Sequence, residues 1–589
     1  MVFRLQEIIH RFEEGAGARY VKLVAILIIL GAVGVLYDLR AYRNLSSPEA
    51  MDSAQLGRNL AEGKGYTTHF VRPFSMHLLQ KHRADRNSLV KIDHPDLANA
   101  PVYPLLLAGL MKANVLPKYQ DTTEVKRFQT YKPDLGIAIF NQVLLLLSAV
   151  VVYLLATRLF DKLVGGLSAV LFVGSELFWR FSASGLSTMW LILVTLGIFW
   201  CLAVLEQWSR GGRGLRALIV LSAVTGLLVG VGGLTRYAFG WMIVPVLLYL
   251  VAFFGKHRMV LGLAALGAFL LVMAPWIGRN LNVCGLPFGT ATFAVMETTG
   301  AFPEDRLQRS LSPNVRGVRV EDYAYKLMGN TRDILRSELP KVGGSWISAF
   351  FLVGLMVPFK NPTLSRLRWF LVAGMVVLVV AQALGRTFLS FETPEINSEN
   401  LLVLLAPLII MFGVSLFSLF LDLIKFPIPA ARIMLIVLFS LVVSAPLILA
   451  LLPPKASPLV YPPYSPPVMQ QTAGWMGERE MLMSDIPWAV AWYGKRQCVW
   501  VTMNWRKEFY EINDYQKPVQ ALYLTQRTTD SRFLSNWVRG ENQGWATFLF
   551  EIIVRKEVPA GFPLRKAPDG FSPDQLFLSD FARWPVIAK

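Results

Sequence analysis

Apolar runs near twenty residues long recur from residue 21 to residue 452. A helix of about 20 residues crosses the roughly 30 Å hydrocarbon core of a bilayer. Lipid offers no partner to backbone N–H and C=O groups, so such runs must be helical. About eleven spans are read on this pattern: 21–37, 136–157, 163–179, 187–206, 215–233, 238–254, 258–276, 344–359, 368–386, 400–423 and 432–452. The expected class is a mainly α, polytopic membrane helix bundle. A mean hydropathy of +0.44 agrees with it. Residues 1–20 are charged and lack an apolar core, so the span at 21–37 is expected to act as an uncleaved start-transfer anchor.

The formal net charge is +18. Much of the excess falls in the short segments between spans. One set holds Arg4, Arg11 and Arg19; Arg158 and Lys162; Arg210, Arg213 and Arg216; Lys256 and Arg258; Lys360, Arg366 and Arg368; Lys425 and Arg432. The positive-inside rule then places the N-terminus in the cytoplasm and the C-terminal region outside a plasma (inner) membrane. Charge spent on topology gives no reason to expect nucleic acid. The outer side receives three large pieces, 38–135, 277–343 and the tail from 453. Long loops gathered on one side are where chemistry is expected. Cys201 lies in a span, and Cys284 and Cys498 both fall outside; free thiols are expected.

In the first outer piece, Ser47 is a plausible N-cap, Pro48 suits the first helical position, and Gly63 and Gly65 end the helix. Along helix 48–62, Asp52, Gln55, Asn59 and Glu62 share a polar face, and Ala50, Ala54, Gly57 and Ala61 form a small-residue stripe suited to close packing. Residues 100–116 are apolar but too short to span, so they read as a helix lying on or dipping into the outer leaflet. An amphipathic stretch covers about 320–339. The prolines of 453–467 predict a stiff linker, and 468–589 a soluble α/β domain of about 120 residues. Within that domain QALYLTQ (520–526) and WATFLFEIIV (545–554) read as strands.

An enzyme working outside the membrane has no sugar nucleotides, but it can use sugars carried on polyprenyl phosphates. Transfer to a hydroxyl needs a base for the acceptor's proton and cations for the departing phosphate. Asp52 suits the first role, although its spacing alone also fits a solvated surface carboxylate. Arg236 and Arg279 adjoin spans on the outer side, with Arg386 as a third candidate. Guanidinium binds phosphate in bidentate fashion, and arginine this close to hydrocarbon either has a partner or snorkels to head groups. His69, His77, His82 and His94, with Asp93 and Asp96, match no metal-ligand spacing, so no metal and no cofactor is expected. No P-loop, dinucleotide fingerprint or serine nucleophile elbow is present.

These residues resemble a known class. Asp52, Arg58, Asn59, Leu60, Ala61, Gly63 and Gly65, then APVYPLLLA (100–108), GLLVGVGGLTRY (226–237) and APWIGRN with GLPFGT (274–290), are similar in order to segments of GT-C class membrane glycosyltransferases. The relatives meant are the protein O-mannosyltransferases and lipid A aminoarabinose transferases of the glycosyltransferase family 39 type. The likeness covers roughly residues 20–450. It implies a GT-C fold, a lipid-linked donor, and a catalytic base at Asp52. It also implies substrate contacts at Arg58, Asn59, Tyr103, Arg236, Arg279 and Arg386. The function expected is inverting transfer of a sugar from a polyprenyl-phosphate donor to a hydroxyl of lipid, glycan or protein. Two departures stand out. A second acid found in some relatives is missing from SASGLSTMW (182–190), and an acid-Lys-Pro-Pro sequence is replaced by Asn99-Ala100-Pro101. A flippase or transporter would show internal repeats and midplane charges, which the sequence lacks. A non-catalytic envelope scaffold would tolerate loss of Asp52.

Overall fold

The computed structural model describes residues 16–585, except 84–89, 91–92, 125–127, 129, 345, 359–360, 393–395, 427, 454–462, 541 and 572–573. Most of the proline linker, and Arg4, Arg11 and Lys360 of the basic set, lie outside the described residues.

Eight described helices are long and apolar enough to cross a membrane, or nine if one bent pair is a single span. That pair, Lys162–Gly174 and Glu176–Ala183, turns through 53° where Ser175 adopts extended backbone. One expected span is shorter than read, the helix Trp346–Gly354; another, Tyr237–Phe253, has the expected length but opens with a tight 3-10 turn. The helices sort by depth. Leu402–Leu423 is 89% buried and sits at the centre, whereas Val24–Ala41 and Ala430–Leu451 are 11% buried. A helix that is apolar all round is either enclosed by its neighbours or bathed in lipid, and this bundle contains both. Helix Leu215–Gly233 packs almost backbone to backbone on Arg258–Cys284, since a Cβ on Gly226 would fall 1.9 Å from the Ala265 carbonyl.

The elements that frame the site are few. Helix α1 (Ala16–Ala41) leads into α2 (Pro48–Ala61). Short strands β1 (Thr67–Thr68), β2 (Phe70–Val71) and β3 (His94–Pro95) follow, then α3 (Val102–Lys112) and α4 (Lys132–Leu159). Much later come α5 (Arg258–Cys284) and the tail, with β4 (Met481–Ser484), α6 (Pro487–Tyr493), β5 (Gln497–Trp500), β6 (Val519–Leu524) and β7 (Leu576–Ser579). The small residues of α2 do allow close packing: a Cβ on Gly57 would meet Leu107 Cβ at 3.0 Å and the Pro104 carbonyl at 3.2 Å on α3.

The tail's sheet has the order β2-β5-β4-β6-β7. β2, β5, β4 and β6 run parallel, and β7 is antiparallel to β6. One edge strand therefore comes from the first long loop, with Phe70 opposite Cys498 and Val71 opposite Val499. β6 matches the expected strand. The run 545–554 does not: it is a helix, Gln543–Phe550, continued by a wider turn over Glu551–Arg555. Its buried side chains are Trp545, Ala546, Phe548 and Leu549, which is helical rather than alternating spacing. The amphipathic stretch is helical from Val320 to Val342.

Candidate active site

Helix α2 places Asp52. Pro48 occupies its start and Ser47 is extended, but the Ser47 hydroxyl donates to Glu49 Oε2 at 2.7 Å instead of capping the backbone. At the other end Gly63 and Gly65 take positive φ of 79° and 72°, turning the chain back towards β1. Asp52, Gln55 and Asn59 form the polar face read from the sequence, and all three are buried. Asp52 is 1% exposed, so it is not a solvated surface carboxylate.

Three donors meet the Asp52 carboxylate. Gln55 Nε2 donates to Oδ1 at 3.0 Å while also donating to Thr68 Oγ1. Arg72 Nη2 and Asn99 Nδ2 donate to Oδ2 at 2.6 and 2.8 Å. Arg72, Asn99 and Asp96 are the site residues that sequence reasoning missed or left without this role. Arg72 follows β2 directly, in the stretch FVRPF, where a lone arginine between a strand and a proline gives no distance signal. Asn99 lies at the departure from the acid-Lys-Pro-Pro pattern. Its amide bridges Asp52 and Asp96, the latter at 3.0 Å. Asp96 also receives the N–H groups of Ala98 and Asn99. Burial and then the nearby Asp52 charge push the Asp96 carboxyl above the ordinary range.

Arg279, near the end of α5, reaches the same loop. Its Nη1 donates to the Asp96 carbonyl at 2.7 Å and to Asn280 Oδ1, and its guanidinium lies 4.9 Å from the Trp276 ring centre and 5.5 Å from that of Tyr66. Tyr66 and Tyr237 both direct their hydroxyls to the Asn99 carbonyl. The Tyr66 hydroxyl is held well above its usual pKa by burial and then by Asp96, with Asp52 and Arg279 also in range. Arg236 stands on the other flank, 3.9 Å from Glu49 Oε1 and thus one turn of α2 before Asp52. Glu49 also accepts from Ser398 Oγ at 2.6 Å. Behind this wall, burial pushes the Glu297 carboxyl up to about 7 and the Lys326 amine down to about 8.

The other candidates serve elsewhere. Arg58 is fully buried and donates to the Trp492 and Ala491 carbonyls of α6, both at 2.6 Å, which ties α2 to the tail. Asn59 Nδ2 donates to the Thr67 carbonyl and closes the glycine turn. Tyr103 donates to the Gly185 carbonyl at 2.9 Å, so the segment without the second acid is a packing surface for α3. Arg386 binds Ser390 Oγ and lies 3.9 Å from Asp333, in a different corner. Among the described residues no group of three or more His, Cys, Asp or Glu is placed to hold a metal ion, and the cysteines are free and buried.

This bundle, with a loop-borne carboxylate beside a guanidinium, has the GT-C fold of membrane glycosyltransferases. Residues 130–278 match the family model described as dolichyl-phosphate-mannose-protein mannosyltransferase. The chain is similar in structure to the oligosaccharyltransferase AglB of Archaeoglobus fulgidus in complex with an inhibitory peptide and a dolichol-phosphate. The TM-score is 0.54 at 11% identity, over 88% of this chain and 71% of that one. The same enzyme tethered to an acceptor peptide containing the NVT sequon also gives a TM-score of 0.54 at 11% identity, over 90% and 72%. The similarity to ArnT from Cupriavidus metallidurans in the apo state has a TM-score of 0.44 at 13% identity, over 96% and 99%. No curated protein sequence matches the chain.

Proposed function

We propose that the chain is an inverting glycosyltransferase that moves a sugar from a polyprenyl-phosphate donor to an acceptor hydroxyl at the outer face of the plasma membrane. Asp52 takes the proton of that hydroxyl. The observation that carries the reading is the buried Asp52 carboxylate held by Arg72, Asn99 and Gln55 within a GT-C fold. The Arg72 guanidinium, 2.6 Å from Oδ2, holds that carboxylate in one orientation. Among the described residues Oδ1 accepts one hydrogen bond, from Gln55, which leaves a lone pair for the incoming hydroxyl. Arg279 and Arg236 flank the same helix at the ends of apolar segments, where they can hold the phosphate as negative charge develops on it. That the AglB structure contains a dolichol-phosphate supports a lipid-phosphate donor here. The N-terminus is cytoplasmic in this reading, and the tail lies outside with the site.

The test is genetic and chemical. Cells lacking the protein should accumulate a polyprenyl-phosphate sugar. The wild-type chain should clear it, and Asp52→Asn, inserted at normal level, should not. Clearance by Asp52→Asn would remove the assigned base.

A further inference from the structure

The tail reaches the site through two contacts that no sequence motif records. β2 is the edge strand of the tail's sheet, and the Cys498 N–H donates to the His69 carbonyl at 2.8 Å just before it. Residues 70 and 71 are thereby fixed in register on Cys498 and Val499. The next residue is Arg72. Its guanidinium lies over the Phe70 ring, 3.9 Å from the centre. The Phe70 ring in turn meets Trp488 and Trp500 of the tail edge-on, at 5.8 and 5.7 Å between centres. Strand, ring and cation form one stack whose far side is the tail. On α2 itself, Arg58 is bolted to the carbonyls of α6. The tail thus grips both halves of the Asp52–Arg72 pair, the helix through Arg58 and the strand through β5.

We infer that Arg72 is the positioning residue of the proposed base, and that the tail's sheet acts as its mount. This deepens the glycosyl-transfer reading and rests on it. An arginine fixed by a strand register and an aromatic stack has lost its rotamer freedom before substrate arrives. It can therefore hold Asp52 in one orientation throughout the proton transfer. A cation on a free loop would have to be ordered in each cycle. The positive charge at this carboxylate is supplied by Arg72, directly after the strand that the tail holds.

The experiment uses the purified full-length chain in lipid nanodiscs. The donor is the lipid-linked sugar fraction extracted from cells lacking the protein, the acceptor is supplied as the envelope fraction of the same cells, and acceptor-dependent consumption of the donor is followed. Arg72→Met should lower kcat by about 100-fold with the KM for donor lipid within threefold, and Arg72→Lys should recover at least tenfold of that loss. Phe70→Leu, which keeps the strand but removes the ring under the guanidinium, should lower kcat by about tenfold. A simple packing role would make Arg72→Lys and Arg72→Met fall alike and would overturn the assignment, as would wild-type kcat in Arg72→Met. Wild-type kcat in Phe70→Leu would overturn the tail's share. Asp52→Asn is assayed in parallel: if it stays active, the base assignment fails whatever Arg72 does, and if it alone is inactive, only the Arg72 inference fails.

Discussion

Asp52 and Asp134 are both buried aspartates near the start of a helix, and their hydrogen bonds have the same pattern. Each accepts one bond on Oδ1 and two on Oδ2. The donors differ. Asp134 meets the Leu45 N–H, the Trp492 indole and the Tyr493 hydroxyl, all neutral, at 3.2, 2.7 and 2.7 Å. Asp52 meets a guanidinium and two amides. Hydrogen-bond counts do not distinguish the two carboxylates; the charge of the partners does. Asp134 stitches the end of α1 and the tail to the top of α4, whereas Asp52 is tied to Arg72 and Asn99 of its own loop.

The comparison breaks first at Asp52→Asn. It should lower sugar transfer by about 10³-fold, measured in membranes, with thermal stability close to wild type. Asp134→Ala should do the reverse. It strands the buried Trp492 and Tyr493 donors, so the chain should lose about 3 kcal/mol of stability, read as a lower melting temperature in detergent, while the surviving folded fraction keeps its turnover. If Asp134→Ala lowers turnover as much as Asp52→Asn, the contrast between the two carboxylates is wrong.

Acid should sharpen it further. Burial lowers His94, beside the Asp52 loop, to about 4, with the Arg72 charge adding to the effect. The pKa in the native state is below that of the unfolded chain, so the contribution is complete above about 6.5 and is lost as pH falls through about 4. His94→Gln should flatten the decline of melting temperature over that window relative to wild type. The smallest effect is expected of Tyr103→Phe, which removes one buried hydroxyl between α3 and the Gly185 carbonyl. It should cost about 1 kcal/mol and leave transfer unchanged, since the hydroxyl is spent on the Gly185 carbonyl.

Much of this was legible in the sequence because it is local. The capped helix, its polar face, the glycine turn and the apolar runs all follow from spacing within one or two turns. Asp52 stood out as a carboxylate on such a helix, and Arg279 and Arg236 as cations beside apolar segments. The rest depends on contacts between residues far apart in the chain. Nothing near Arg58 says that its guanidinium will be used up on carbonyls at 491 and 492. Nothing near Arg72 says that a strand more than 400 residues away will aim it at Asp52. The run 545–554 was misread because a short apolar segment satisfies both periods until burial selects one. The span at 344–359 is shorter in the structure, Trp346–Gly354, because apolar content alone does not reveal where a helix ends.

The strand pairing between residues 70–71 and 498–499 also sets an order of events during synthesis. The loop that carries Asp52 leaves the ribosome early, yet its edge strand has no partner until β5 has been made and delivered to the same side of the membrane. Until then the loop is an unfinished sheet edge, exposed to mispairing. A chain halted anywhere before β5 would insert its helices normally and still lack the support of Arg72, so assembly of the bilayer part and competence for chemistry are separate milestones, reached in that order.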